Sequence, residues 1–253
     1  MKRVLIPLLA FLALLLAACA EEEEGPAAPT VAPEATAPPA ATATIAPVAE
    51  GEAVSFNTED GVTIRGYLFG TGETAVVLSH MRPNDQRAWF DFARELADQG
   101  FTALTFDFRG YGETGGDKEL SLIDRDLTAA VRYLEQQGFA RIYLVGASMG
   151  GTASLIVAAR EDVAGVVIVS APARFEGLEA DAVVADIKEP KLFIASIDDR
   201  DAYTSLQAFN RAAGEPKGDL TFEGDAHGTE LLESEHAAEF KARIIGFLRE
   251  TGS

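Results

Sequence analysis

The stretch that decides the fold is Tyr143-Leu144-Val145-Gly146-Ala147-Ser148-Met149-Gly150-Gly151. It joins an apolar strand to an Ala-rich helix and carries the pattern GxSxG at the junction. A serine on such a sharp turn projects its oxygen above the sheet, and the residues two before and two after it must be small because strand and helix pass close together. Gly146 and Gly150 meet that requirement. A serine that only caps the helix is the alternative, but the strand and helix on either side favour Ser148 as a nucleophile.

Outward from this turn, short apolar strands alternate with amphipathic helices from Ala53 onward. A turn signal, Glu59-Asp60-Gly61, separates strands at 54–58 and 62–69 and predicts an N-terminal β-hairpin. Further strands are predicted at 75–79, 101–106, 142–145, 163–169, 192–195 and 220–222, and helices at 87–99, 120–137, 149–160, 177–187, 203–213 and 235–249. This order predicts an α/β fold, a mostly parallel β-sheet with helices on both faces and catalytic groups at the carboxyl ends of the strands.

A serine nucleophile needs a base within hydrogen-bond reach, and the chain contains three histidines. His227 lies in a glycine-bounded loop, Gly224-Asp225-Ala226-His227-Gly228, after the last strand. We favour it as the base over the alternative of an ordinary surface-loop histidine. His80 ends the first strand after the hairpin and is expected to organise the neighbouring loop. His236 falls at the start of an acidic helix and is expected to face solvent.

Three carboxylates follow the strand at 192–195, in Ser196-Ile197-Asp198-Asp199-Arg200-Asp201. A serine hydrolase needs such a group to hold the imidazole in the correct tautomer and to stabilise the imidazolium. We rank Asp199 first, then Asp198, then Asp201, and each could instead be a solvated loop charge. The resulting order along the chain, Ser, Asp, His, is the one expected for a nucleophile on a strand-to-helix turn.

Several stretches together resemble one known family. They are Val77-Leu78-Ser79-His80, Phe106-Asp107-Phe108-Arg109-Gly110-Tyr111-Gly112, the turn at Ser148, Asp199 after Leu192-Phe193-Ile194-Ala195, and the loop around His227. From about residue 56 to residue 248 the chain is similar to lidless α/β-hydrolases of the esterase and dienelactone-hydrolase-like kind. The resemblance implies a serine hydrolase, foremost a carboxylic ester hydrolase that forms an acyl-enzyme, with Asp199 as the acid. Dienelactone hydrolases themselves use cysteine, so their specific activity is not implied.

The resemblance also implies an oxyanion hole, in which backbone N–H groups bind the developing negative charge. One donor would be the N–H of Met149, directly after the nucleophile. The family usually has His-Gly after its third strand and uses the next N–H, whereas this chain has His80-Met81-Arg82. Arg82 is therefore the second expected donor. Its side chain either favours anionic substrates or pairs with a nearby carboxylate such as Asp85.

The N-terminus predicts export and membrane anchoring. Residues 1–18 have the charged start, apolar run and small-residue end of a signal peptide. Leu16-Ala17-Ala18-Cys19 resembles the lipobox of bacterial lipoproteins, which implies lipidation of Cys19 and a lipid anchor at the extracytoplasmic face of the cell membrane. An ordinary secretory peptide is the alternative. Residues 19–50 are rich in Ala, Pro, Thr and Glu and predict a disordered tether, which leaves 51–253 as the α/β-hydrolase domain. Cys19 is the only cysteine, so an internal disulfide is ruled out.

Composition and motifs disfavour several other classes of function. The formal net charge of −19 disfavours nucleic-acid binding. The sequence has no His and Cys cluster with metal-ligand spacing and no phosphate loop, so neither a metal nor a cofactor is expected. Gly110-Tyr111-Gly112-Glu113-Thr114-Gly115 matches GxGxxG, but no helix follows at once, which disfavours a dinucleotide site.

The segment between the strands at 163–169 and 192–195 bears on the substrate, because larger relatives insert a lid there. In this chain it is short, so we expect no large lid and an open site suited to small or soluble esters. Ser148, His227 and Asp199 would also serve a peptidase or an acyltransferase. A further alternative is a non-catalytic interaction module that retains the fold. No pattern in the sequence predicts an oligomeric state.

Overall fold

An eight-stranded sheet forms the centre of the computed structural model, in which residues 51–251 are described. The strands of the described part are β1 Glu52–Asn57, β2 Thr63–Phe69, β3 Thr74–Ser79, β4 Thr102–Phe106, β5 Arg141–Ala147, β6 Gly165–Val169, β7 Arg174–Phe175, β8 Leu178–Glu179, β9 Lys191–Ser196 and β10 Lys217–Phe222. The sheet order is β1-β2-β4-β3-β5-β6-β9-β10, while β7 and β8 form a separate pair. β1 and β2 are antiparallel, as are β2 and β4, and the other pairs of the sheet are parallel. The predicted N-terminal hairpin and mostly parallel sheet are confirmed.

Helices cover both faces of the sheet, as predicted. They are α1 Phe90–Asp98, α2 Ile123–Gln136, α3 Met149–Ala158, α4 Arg200–Ala212 and α5 Ala237–Glu250. Alternate residues of a strand point to opposite faces, so Val77 joins the core beneath α2, α3 and α4, whereas Val76 and Leu78 join the core beneath α1 and α5. Burial on both faces explains why the central strands are continuous apolar runs.

The predicted signal peptide, Cys19 and the tether lie outside the described residues. None of the helices within 51–251 is long and apolar enough to cross a membrane.

The prediction of a helix at 177–187 is wrong. Ala180, Val184 and Ile187 are buried at helix-like spacing. Ala180 and Val184, however, lie in two short 3-10 turns, Ala180–Ala182 and Val184–Asp186, and Ile187 follows the second turn with extended backbone. The preceding residues form the β7–β8 hairpin, because Glu176 and Gly177 take φ values of 47° and 90° and reverse the chain in two residues. The short segment therefore holds a hairpin and turns, without a large lid.

A buried ion pair joins the N-terminal hairpin to α2. Arg109, which follows β4, contacts Asp126 of α2 at 2.7 Å and Asp60 of the β1–β2 turn at 2.9 Å. The side chains of Arg109 and Asp126 are 2% and 0% exposed. Each charge depends on the other, because removing one partner leaves an uncompensated buried charge.

Candidate active site

Ser148 occupies the sharp turn between β5 and α3. Its backbone has φ 50° and ψ −117°, and its N–H donates to the carbonyl of Val169 on β6 at 2.8 Å. A non-glycine residue at positive φ stores strain that only a well-determined surrounding structure sustains. The strand, the turn and the helix predicted around this serine are all present.

The glycines on either side of Ser148 explain how strand and helix approach so closely. A Cβ on Gly146 would lie 2.4 Å from the carbonyl oxygen of Gly150, and one on Gly150 would lie 2.5 Å from the carbonyl oxygen of Ser79. Neither site has room for a larger residue. A Cβ on Gly150 would also lie 2.7 Å from the carbonyl oxygen of His80, so the end of β3 and the start of the loop after it pass directly over the first turn of α3.

His227 is hydrogen-bonded to Asp199. Its Nδ1 lies 2.6 Å from Oδ2 of Asp199, and the two side chains are 34% and 15% exposed. The short distance indicates a charge-assisted hydrogen bond. With Nδ1 donating its proton to the carboxylate, Nε2 of the neutral ring is left as a proton acceptor.

The three candidate acids occupy different places at the start of α4. Asp199 is the residue immediately before the helix, where its carboxylate reaches His227. Asp198 and Asp201 have exposed side chains, and their recorded contacts are through the backbone, to Gly224 and Ser205. The geometry therefore pairs His227 with the first-ranked of the three.

The loop that carries His227 lies against the turn that carries Ser148. A Cβ on Gly228 would lie 3.3 Å from the Cβ of Ala147, the residue before the serine. On its other side the loop is tied to the end of β9, because the Ser196 hydroxyl donates to the carbonyl of Ala226 at 2.6 Å. The carboxyl ends of β5, β9 and β10 thus bring the serine, the carboxylate and the histidine to one edge of the sheet.

The two expected oxyanion donors lie in different settings. Met149 is the first residue of α3, so its N–H is one of those that a helix leaves without an intrahelical partner. Arg82 follows Met81 on the loop after β3 and is exposed. As donors of the oxyanion hole, both remain predictions.

Arg82 lies near a carboxylate, as one of its two alternatives predicts, but that carboxylate is Glu176 and not Asp85. Asp85 accepts a hydrogen bond from the N–H of Arg87 at 2.9 Å and pairs with the Arg87 side chain. Its place before the 3-10 turn Gln86–Trp89 accounts for this, since Asp is a favoured capping residue. The Arg82 guanidinium instead lies 5.5 Å from the centre of the Phe175 ring and 3.9 Å from Glu176, both in the β7–β8 hairpin.

His80 is a buried part of the loop after β3. Its Nδ1 donates to the carbonyl of Met81 at 3.0 Å, and its Nε2 accepts from the N–H of Phe108 at 3.1 Å. Burial lowers the pKa of His80 below its usual value. With both nitrogens occupied, the ring organises this loop, in line with the sequence-based expectation.

His236 makes its contacts outside the group formed by Ser148, His227 and Asp199. Its Nε2 donates to the carbonyl of Glu223 at 3.1 Å, and its ring stacks on Phe222. Only 23% of its side chain is exposed, so it faces solvent less than predicted. The ring packs on the end of β10, which the helix pattern alone could not indicate.

Sequence reasoning missed the part played by Met81. Its sulfur lies 3.4 Å from the backbone nitrogen of Thr229, two residues after His227. The signal was present, since a large side chain stands where the resembled family usually has glycine. What it touches is distant in sequence and could be found only in the folded chain.

Other candidate sites are separate from this group. A groove of about 950 Å3 between β1 and α2 contains none of the predicted site residues. Within residues 51–251 no group of three or more His, Cys, Asp or Glu side chains could hold a metal ion. The GxGxxG stretch is an irregular loop in which Gly112 packs directly on the carboxylate of Asp107.

Comparisons with known proteins agree with this architecture. Residues 74–236 match the model of the alpha/beta hydrolase fold family. The protein YfhR of Salmonella typhi is 27% identical over 113 residues, which cover 41% of this chain and 39% of that protein. The chain thus spans about two fifths of the length of this relative. Protein Rv2307c of Mycobacterium tuberculosis is 28% identical over 231 residues, 79% of this chain and 80% of that protein.

Among solved structures, the esterase Pf2001 of Pyrococcus furiosus superposes with a TM-score of 0.70 at 20% identity, covering 79% of this chain and 92% of that one. At that identity the likeness concerns the fold. Together with the family match over more than half of the sequence, it gives one conclusion: this chain belongs to the alpha/beta hydrolase fold family.

Proposed function

We propose that this protein is a serine hydrolase that cleaves small or soluble carboxylic esters, with Ser148 as nucleophile, His227 as base and Asp199 as the acid that orients it. The observation that carries the proposal is the 2.6 Å hydrogen bond between His227 and Asp199, on a loop packed against the residue before Ser148. Base, orienting acid and activated serine are the parts that acyl transfer requires.

The proposed reaction proceeds in two halves. His227 Nε2 takes the proton of the Ser148 hydroxyl as Oγ attacks the ester carbonyl, and the N–H groups of Met149 and Arg82 bind the oxyanion. The tetrahedral intermediate collapses, the C–O bond to the alcohol breaks, and His227 returns the proton to the departing alkoxide. His227 then takes a proton from water, which attacks the acyl-enzyme carbonyl. The C–O bond to Ser148 Oγ breaks, His227 returns the proton to Oγ, and the carboxylic acid and the free serine are released.

Two features support a preference for small esters. The segment between β6 and β9 holds only the β7–β8 hairpin and two 3-10 turns. His227 keeps a third of its side chain exposed, which is consistent with a site open to dissolved substrate.

Activity on graded substrates tests this proposal. We expect turnover of short-chain p-nitrophenyl esters that falls with acyl length and is lost in Ser148→Ala, with no cleavage in a peptidase panel. Hydrolysis restricted to emulsified long-chain lipids, or cleavage of peptides alone, would contradict the ester assignment. A folded protein inactive on every substrate would favour a non-catalytic interaction module, and ester synthesis from an added alcohol would favour an acyltransferase.

We further propose that Cys19 is lipidated and anchors the protein at the extracytoplasmic face of the cell membrane. The support is the sequence of residues 1–19, which resembles a lipoprotein leader. Two or more acyl chains anchor a protein stably, whereas one binds only marginally. The wild-type protein should partition into detergent and incorporate a fatty-acid label, and Cys19→Ser should do neither. Equal partitioning of the two proteins would refute the anchor.

A further inference from the structure

Thr229 links the loop that carries His227 to the loop after β3. Its backbone N–H donates to the sulfur of Met81 at 3.4 Å, and its hydroxyl accepts from the Asn84 side-chain amide at 3.2 Å. Thr229 and Met81 are both buried, at 5% and 3% exposure. The two contacts reach residues on either side of the stretch that contains Arg82.

Met81 also fills the space between the two loops. Gly228 has φ 57°, and a Cβ there would lie 2.5 Å from the Met81 sulfur and 3.3 Å from the Cβ of Ala147. The thioether therefore packs on the residue after His227, beside the residue before Ser148. A long, flexible and polarisable side chain suits such an irregular gap, and its sulfur is a weak acceptor for the Thr229 N–H.

The opposite side of the His227 loop is held separately. Ser196 fixes Ala226 through its hydroxyl at 2.6 Å, and Asp199 holds the imidazole itself. These contacts set the base relative to the acid and β9. The contacts of Thr229 position His227 relative to the loop after β3, which contains Met81 and Asn84.

We propose that Met81 and Asn84 are positioning residues, which clamp Thr229 and thereby fix His227 relative to the Ser148 turn and the oxyanion backbone. The proposal rests on the proposed serine hydrolase function, since the residues act through His227. A displacement of about 1 Å in a catalytic group can reduce the rate about 100-fold. Loss of the clamp should therefore lower kcat and leave KM nearly unchanged.

The test compares four variants with the wild-type protein on p-nitrophenyl acetate. We expect Met81→Ala and Asn84→Ala each to lower kcat about 10-fold, and the double variant about 100-fold, with KM within about twofold of wild type. Asn84→Asp should recover most of the kcat lost in Asn84→Ala, because its carboxylate can accept a hydrogen bond from the Thr229 hydroxyl. In Met81→Ala, Asn84→Ala and the double variant, none of which changes a charge, the pH at half-maximal kcat/KM should stay that of the wild type, because the contact of His227 with Asp199 is retained.

Two control variants separate positioning from general destabilisation. Leu134→Ala removes a buried side chain of α2, and Asn210→Ala removes an exposed amide that contacts Asp219 at 2.7 Å. Both should keep wild-type kcat, and Leu134→Ala should do so despite a lowered Tm. A double variant with wild-type kcat and a lowered Tm would overturn the proposal, as would a loss expressed in KM alone.

Hydrogen exchange distinguishes failure of the clamp from failure of the proposed function. Peptides covering 224–232 should exchange faster in the double variant than in the wild type, whether or not the protein turns over esters. Unchanged exchange would overturn the clamp even in an active enzyme. An inactive wild-type protein with increased exchange in the variant would overturn the hydrolase assignment and, with it, the catalytic role of the clamp.

Discussion

Replacing Asp199 by Asn should remove most of the activity without unfolding the protein. The carboxylate accepts a 2.6 Å hydrogen bond from His227. Its negative charge stabilises the positive charge that the imidazole acquires when it takes the serine proton. With the two charge centres roughly 4 Å apart and an effective dielectric near 20, their attraction is about 4 kcal/mol. This dielectric suits a pair whose side chains are 34% and 15% exposed.

That energy sets the size of the expected effect. About 1.4 kcal/mol corresponds to a tenfold change in rate, so loss of the charge alone lowers kcat about 1,000-fold. The Asn amide can also donate to Nδ1 and move the ring proton to Nε2, where it blocks the base, which raises the loss towards about 10,000-fold. KM should change little, because Asp199 stabilises a charge that appears only as the reaction proceeds.

The assay is kcat and KM on p-nitrophenyl acetate, with a thermal melt to verify folding. The matched controls are Asp198→Asn and Asp201→Asn, which make the same chemical change one residue before Asp199 and two residues after it. Both should keep kcat within about threefold of wild type. The reasoning is refuted if Asp199→Asn retains more than a tenth of the wild-type kcat, or if either neighbouring variant loses as much as Asp199→Asn.

Three further predictions concern stability. Gly150→Ala should cost about 1–3 kcal/mol through overpacking, because its Cβ would lie 2.5 Å from the carbonyl oxygen of Ser79; an unchanged Tm would contradict this. Arg109→Met should cost about 3–5 kcal/mol in urea unfolding, since it leaves Asp126 buried and unpaired, and a loss below about 1 kcal/mol would show that this ion pair is dispensable. In the folded state, burial lowers the pKa of His80 below its usual value of 6.5. The unfolded chain therefore binds a proton at this histidine more readily than the folded protein does. The stability associated with the neutral ring is fully present above pH 6.5 and declines as the pH falls towards the folded-state pKa. The unfolding free energy should thus fall more steeply between pH 7 and pH 5 in the wild type than in His80→Gln, and equal slopes would exclude His80 as the cause.

The elements around Ser148 could be predicted because their signals are local. A continuous apolar strand, two glycines and an Ala-rich helix lie within a few residues of each other, and the backbone follows directly from them. The same holds for His227, which lies in a glycine-bounded loop after the last strand. Local patterns of this kind are the most dependable information in a single sequence.

The choice among three adjacent acids depends on where a helix begins. The pattern predicts a start at Tyr203, but α4 begins at Arg200. That difference makes Asp199 the residue before the helix and turns its carboxylate towards His227. The helix predicted at 177–187 failed for a related reason, since Gly177 and Glu176 reverse the chain in a way that hydrophobic spacing does not register.

Long-range contacts account for the remaining differences. Met81 and Thr229 are 148 residues apart in the chain, and Arg82 meets the β7–β8 hairpin instead of Asp85, only three residues away. Pairings of this kind depend on how strands are ordered in the sheet. The sequence pattern predicts which strands exist, but the order that brings two loops together is a property of the folded chain.

Covalent labelling of Ser148 is the most direct test of the nucleophile on which the proposed mechanism depends. Wild-type protein and Ser148→Ala, both shown to be folded by circular dichroism, are treated with a fluorophosphonate and analysed by intact mass and peptide mapping. We expect a single adduct on the wild-type peptide that contains Ser148 and none on the variant. A folded wild-type protein that stays unlabelled, or an adduct that persists in Ser148→Ala, would contradict the assignment.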